Sequence, residues 1–187
     1  MITVNSHTFA SLEEKKSLFI AHLLPYSIFE ETLKSLKEEH PKARHFVYAY
    51  RYIGEQDRII ERSSDDGEPR GTSGVPTLKV LAGHKLVNAA IITVRYFGGT
   101  LLGAGGLVRA YGDSANLAVK NGELIEYVKL EIKEIEIPYE LSSKAEYLAK
   151  SLNINIVNRE FGQDGVKLMC EGKIEELSSM DEKLKPL

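Results

Sequence analysis

The side chains best equipped for chemistry lie between positions 63 and 112. Asp65, Asp66 and Glu68 place three carboxylates within four positions, followed by Arg70, Thr72 and Ser73. Such a set can ligate a hard cation such as Mg²⁺ or exchange a proton. The spacing does not match an EF-hand loop, and Pro69 stiffens the stretch instead of letting it wrap an ion. The competing reading is structural and is the favoured one. In it the aspartates make turn and capping hydrogen bonds, and Glu68 or Asp66 pairs with Arg70 or Arg95. Thr72 and Ser73 are hydroxyls with no identifiable base, and capping is their simplest role. No catalytic residue, metal or cofactor is assigned.

A second candidate follows. Ten of the fifteen glycines fall between Gly67 and Gly112. Gly98, Gly99, Gly103, Gly105 and Gly106 lie between Arg95 and Arg109, just before an expected helix. Glycine N–H groups ahead of a helix N-terminus form an anion-binding concavity, and nearby guanidinium groups add charge-assisted bonds. Lys79 and Lys85 extend this electropositive face. The alternative is that the glycines permit close packing and a sharp turn, while Arg109 pairs with Asp113 at i+4. No Gly-Lys-Ser/Thr follows the glycines, so the stretch is not a Walker A loop. His7, His22, His40, His45 and His84 show no metal-binding spacing, and no nucleophile elbow is visible.

The elements that must carry these residues are legible in outline. The apolar run 17–24 is a buried strand or a helix segment. Ser27-Ile28-Phe29-Glu30 reads as a capping box opening a helix over 28–40. Alternation over 43–53 predicts a strand with 58–62 as its hairpin partner. Its aromatic stripe, Phe46, Tyr48, Tyr50 and Tyr52 on one face, forms either a platform for bases or, preferably, a half-buried sheet face. Thr72 or Ser73 caps a helix that has Pro76 in its first turn, and Gly83 fits its C-terminal cap. A β-branched strand over 88–97 leads through the glycines into a helix over about 104–120. Asn121-Gly122 is the expected boundary between domains 1–122 and 123–187. The second domain reads strand 125–138, helix 140–152, strand 154–161, strand 166–171 and helix 173–184, a βαββα order.

Composition narrows the class. The 187 residues suffice for one ordinary domain or two small ones. A single cysteine, Cys170, excludes an internal disulfide framework and points to a reducing cytoplasm. The apolar run 18–24 is too short for a membrane span and lacks the basic flank of a leader. Net charge is −3 overall. Residues 1–122 carry 15 Lys+Arg against 13 Asp+Glu, and residues 123–187 carry 9 against 14. That asymmetry permits a local basic patch on the first domain without resembling a strongly basic nucleic-acid binder.

Two stretches carry a family resemblance. Asp65-Asp66-Gly67-Glu68-Pro69 with Gly71-Thr72-Ser73-Gly74 and Pro76 is the first. Arg95-Tyr96-Phe97-Gly98-Gly99 with Leu102-Gly103 and Gly105-Gly106-Leu107 is the second. Together they resemble the IMPACT/YigZ family in its bacterial form, over essentially 17–122. The resemblance implies an α+β fold, with a ribosomal protein S5 domain 2-like first domain and a ferredoxin-like second domain. The latter here lacks its last strand, because too few residues follow the final helix. It implies a non-enzymatic, translation-linked regulator whose partner is RNA, the ribosome or a translation factor. Two alternatives stand beside it: an enzyme that places a nucleotide phosphate on the glycine loop, and a protein–protein adaptor.

Overall fold

A computed structural model of the chain describes residues 1–185. Helices and strands are mixed, and the chain forms two units, Met1–Tyr127 and Val128–Leu187.

The first unit runs β1 (Ile2–Val4), β2 (Thr8–Glu14), β3 (Ser17–Pro25), α1 (Phe29–Glu39), β4 (His45–Ile53), β5 (Ile59–Ser64), α2 (Gly74–Gly83), β6 (Ala89–Tyr96), α3 (Gly103–Asn121) and β7 (Leu124–Glu126). Five of these strands form one sheet in the order β2-β3-β6-β4-β5, antiparallel throughout. β6 sits at its centre and is buried from Ala89 to Arg95, which is why its sequence is a continuous apolar run. Side chains alternate across the pleat. Ile91 packs with Leu81 of α2 and with Ala115 and Ala118 of α3. Ile92 and Val94 pack on the opposite face with Phe29 and Leu36 of α1. Each such aliphatic side chain contributes about 1.5–3 kcal/mol by leaving water.

The tyrosine stripe belongs to the α1 face. Tyr48, Tyr50 and Tyr52 are half-buried under Tyr26 and Phe29, and Tyr26 stacks on Tyr52 with centroids 4.4 Å apart. It is a packed sheet face, not an open platform for bases.

One open alternative is settled, and two local features depart from the sequence reading. Residues 17–24 are a strand, paired with β2 through a turn in which Lys15 and Lys16 hold positive φ, 47° and 64°. Such turns normally favour glycine or asparagine, so two lysines carry no turn signal. The capping box does not form. A short 3₁₀ turn over Tyr26–Ile28 precedes α1, and no side chain caps the helix. The strand expected over 125–138 is two strands. β7 folds back onto β1, with Ile2 opposite Glu126, so the first unit extends past Gly122 to Tyr127.

The second unit runs β8 (Glu131–Pro138), α4 (Ser142–Ser151), β9 (Asn155–Phe161), β10 (Gly165–Gly172) and α5 (Ile174–Leu184). Its sheet order is β8-β10-β9, antiparallel. Ile135, Ile137, Leu168, Cys170, Leu177 and Met180 form its core. Burial pushes the Cys170 thiol up, so it stays protonated and packs as a small apolar group. Among the described residues no strand covers the outer edge of β8. Pro186 and Leu187 lie outside the described residues. Among the described residues no helix is long and apolar enough to cross a membrane.

Candidate functional site

The two motif stretches, distant in sequence, meet at one end of the first unit's sheet. The turn after β5 carries Asp65, Asp66 and Glu68, and the end of β6 carries Arg95. The three carboxylates then diverge. Asp65 turns toward the start of α2. Its Oδ1 accepts the N–H of Ser73 (3.1 Å), the N–H of Gly74 (2.8 Å) and the Ser73 hydroxyl (2.7 Å), and its Oδ2 accepts the Gly71 N–H (2.8 Å). Ser73 occupies the N-cap position, but the cap is Asp65 acting from outside the helix. Thr72 donates to the Pro69 carbonyl at 2.6 Å. Asp66 turns toward β4, where its Oδ2 accepts the Phe46 N–H at 2.6 Å and its carbonyl accepts from His45 Nδ1 at 2.9 Å. The cation reading of this cluster fails on geometry. Among the described residues no three His, Cys, Asp or Glu side chains gather to hold a metal.

Partial burial alone would raise the Asp65 carboxyl. The bonds from Gly71, Ser73 and Gly74 outweigh it and hold the group below the ordinary carboxylate value. The sign follows: the unfolded chain binds this proton more readily, so the cap stabilises above about pH 4 and fades as pH falls. Asp65→Ala is expected to cost about 1–2 kcal/mol, read as a lower urea midpoint at pH 7. That difference should shrink toward pH 3.

Glu68 is the centre of the site. It is 9% exposed. Its Oε1 accepts from Arg95 Nη1 at 2.5 Å and from the Tyr111 hydroxyl of α3 at 2.7 Å, and His45 Nε2 lies 4.0 Å away. Burial first, and the Glu68 charge second, push the Tyr111 phenol far above its ordinary value, so it remains a donor. Arg95 is 5% exposed, stands 5.3 Å from the Phe19 ring centroid and leaves its Nε without a partner. Of the pairings open from sequence, Glu68 with Arg95 is the one formed. Arg95 is therefore not the free cation placed on the anion-binding face. Its charge is neutralised internally because β6 lies between two covered faces.

Beside the glycine stretch lies a cleft of about 390 Å³ lined by Arg44, His45, Glu68, Phe97, Leu101 and Leu107, with Pro69, Arg95, Leu102, Gly103 and Ala104 completing the wall. Gly98 is required by close approach: a Cβ there would lie 2.0 Å from the Lys16 carbonyl carbon. Gly105 is different. It has no positive φ, and a Cβ would meet nothing within 4 Å. Nothing internal asks for glycine there, so the first turn of α3 is left bare, with no side chain capping it. Gly99 and Gly103 hold positive φ, 83° and 72°, and Gly106 packs against Leu102.

Arg109 is exposed and makes no ion pair with Asp113. It shares a groove beside α3 with Lys15, Glu14 and Asp113. Arg70 is exposed next to Pro69. Lys79, on the outer side of α2, lines neither hollow, and Lys85 precedes β6 at the strand end remote from Arg95. These two lysines do not join the site.

The Impact N-terminal domain matches residues 15–119 of this sequence. The chain belongs to the IMPACT family. It is 40% identical over 135 residues to the IMPACT family member YvyE of Bacillus subtilis, covering 71% of this chain and 61% of that protein's own length. It is 35% identical over 152 residues to the IMPACT family member YigZ of Escherichia coli, covering 80% and 74% respectively. A crystal structure described only as that of a hypothetical protein superposes with a TM-score of 0.72 at 30% identity, over 98% of this chain and 90% of that one. The family match spans both arms of the cleft, from the Lys15-Lys16 turn to the end of α3.

Sequence reasoning missed Tyr111, Arg44, His45 and Phe97. One signal was available for Arg95: period-two alternation puts it on the face of Ile91 and Thr93, under α3. Helical periodicity puts Tyr111 on the inward face of its helix, but only as an apolar residue.

Proposed function

We propose that this IMPACT family chain is a non-enzymatic, translation-linked regulatory module of the cytoplasm. Its contact surface is the cleft and its basic rim, and its partner is RNA, free or in the ribosome. The first unit then corresponds to an S5 domain 2-like domain. The second corresponds to a ferredoxin-like domain lacking its last strand, and the β8-β10-β9 order supports that reading. The observation that carries the functional proposal is the convergence of both family motifs on one open hollow. Arg44 stands exposed in its wall, Arg70 follows the lining residue Pro69, Lys16 lies against Gly98, and Lys15 and Arg109 stand exposed in the groove beside α3 that shares Leu102 with it. Free surface cations beside a bare helix N-terminus suit a phosphate backbone. Glu14 and Asp113 temper that field on the Arg109 side.

The test is salt-dependent binding of a labelled single-stranded oligoribonucleotide. Wild-type affinity should fall steeply with salt. Replacing Lys15, Arg44 and Arg109 together by alanine should weaken binding at least tenfold at low salt. It should also flatten the logarithmic salt slope by about 2, at roughly 0.7 for each phosphate that is no longer neutralised. Absence of binding by the wild type at low salt would remove the proposal.

A further inference from the structure

We infer that the cleft holds one unpaired ribonucleotide, with Glu68 Oε2 accepting its ribose 2′-hydroxyl. This rests on the RNA-contact reading above and names what that contact recognises. Both interactions of Glu68 with Arg95 and Tyr111, and its approach to His45, use Oε1. Oε2 has no hydrogen-bond partner among the described residues, and the residue lines the cleft wall. An ionised carboxylate is an acceptor only, so what meets it must donate. Arg95 already neutralises its charge. A ligand cation would leave a net charge against the buried ion pair, whereas a hydroxyl would not.

The mouth of the same cleft has the opposite preference. Gly103 and Ala104, in the uncapped first turn of α3, and Arg44 all line it. That combination accepts an anion. Between mouth and floor the wall is apolar: Phe97, 43% exposed, with Leu101, 83% exposed, and Leu107. The occupant therefore carries a hydroxyl donor, an anion a few ångströms away and a flat apolar body. Sugar phosphates have the first two but nothing to cover Phe97 and Leu101. Fatty acids have the cover and the anion but no hydroxyl beside it. A nucleotide has all three: ribose to Glu68, base on the aromatic wall, phosphate at α3. About 390 Å³ falls at the small end of ligand pockets, which span roughly 300–1,000 Å³, and suits one nucleotide.

The experiment compares fluorescently labelled ten-nucleotide ribo and 2′-deoxyribo strands of one sequence by anisotropy. It compares AMP with dAMP by thermal shift. The wild type is expected to bind the ribo strand at least tenfold more tightly. Ala104→Phe adds a ring to an exposed residue of the cleft wall without touching the core, and it should abolish the preference for the ribo strand. A larger melting shift with AMP than with dAMP means that free nucleotides also enter. Strand preference without a nucleotide response means that the ribose is read only within RNA. Either result upholds the ribose contact. Equal binding of ribo and deoxy partners in both assays overturns this inference and leaves the rim reading intact. No binding of any strand at low salt overturns both.

Discussion

Glu68→Ala is expected to destabilise the chain by about 3–5 kcal/mol, the characteristic cost of stranding one member of a buried ion pair. The variant would leave Arg95, 5% exposed, without a counter-charge. Its Nε already lacks a partner, and Ser17 Oγ, 3.5 Å from its Nη2, offers no compensating charge. Tyr111 would lose the carboxylate its hydroxyl donates to. Tyr111→Phe is a milder version and should cost about 1.5–3 kcal/mol, the range for a hydrogen bond to a charged group. The decisive comparison is the double variant Glu68→Met/Arg95→Met. If the damage comes from an unpaired buried charge, the double variant should be more stable than Glu68→Ala alone. Urea unfolding of all three at pH 7 makes the comparison. A Glu68→Ala loss under about 1 kcal/mol, the range of solvent-exposed pairs, would mean that the pair is solvated and that the cleft floor is not as described.

The second large effect is a loss of stability in mild acid, centred on His22. This residue is 6% exposed on β3, with its Nδ1 3.0 Å from His7 Nε2 and its own Nε2 unpartnered. Burial first, then the charges of His7 and His40, lower its pKa to about 4, against an upward pull from Glu39. Burial lowers His7 as well, so the two rings titrate as a pair. Glu31 and Glu39 line the same hollow. Because the folded value lies below the unfolded value of 6.5, the unfolded chain binds the proton first as pH falls. Stability is therefore complete above about pH 6.5 and declines toward pH 4, where the loss levels off at about 3 kcal/mol. His22→Leu removes both the titrating ring and the orphaned nitrogen. Its urea midpoint should change little over this window. A wild-type midpoint constant from about pH 7 to about pH 4.5 would show that the ring is open to water.

The parts of the fold that were legible in sequence had local signatures. α3 announced itself through Leu107, Tyr111, Ala115 and Ala118, and β4 through strict alternation ending at Gly54. The βαββα order of the second unit followed from its leucine spacing and the Gly162–Gly165 turn. What escaped depends on partners far along the chain. Nothing near Leu124 tells that it will pair with Val4. Nothing near Arg95 tells that its counter-ion lies 27 residues earlier, although the right pairing was among the alternatives. The rim shifted for the same reason. Lys85 seemed close to the glycine stretch in sequence but sits across the length of β6 from it. Lys15, far away in sequence, is brought alongside α3 by a hairpin that carries no turn signature.

The cleft floor joins residues separated by 27 and 43 positions, with Ser17 reaching Gly98 across 81. Contacts of that range close late, since each must first overcome the entropy of a long loop. The β3–β6 pairing at the heart of the sheet, Leu18 opposite Tyr96, spans a comparable stretch of chain. The hollow and the centre of the sheet should therefore form in one slow step. Fluorescence from a probe in the hollow is expected to recover at the rate of far-ultraviolet dichroism, and a slower recovery would overturn that coupling.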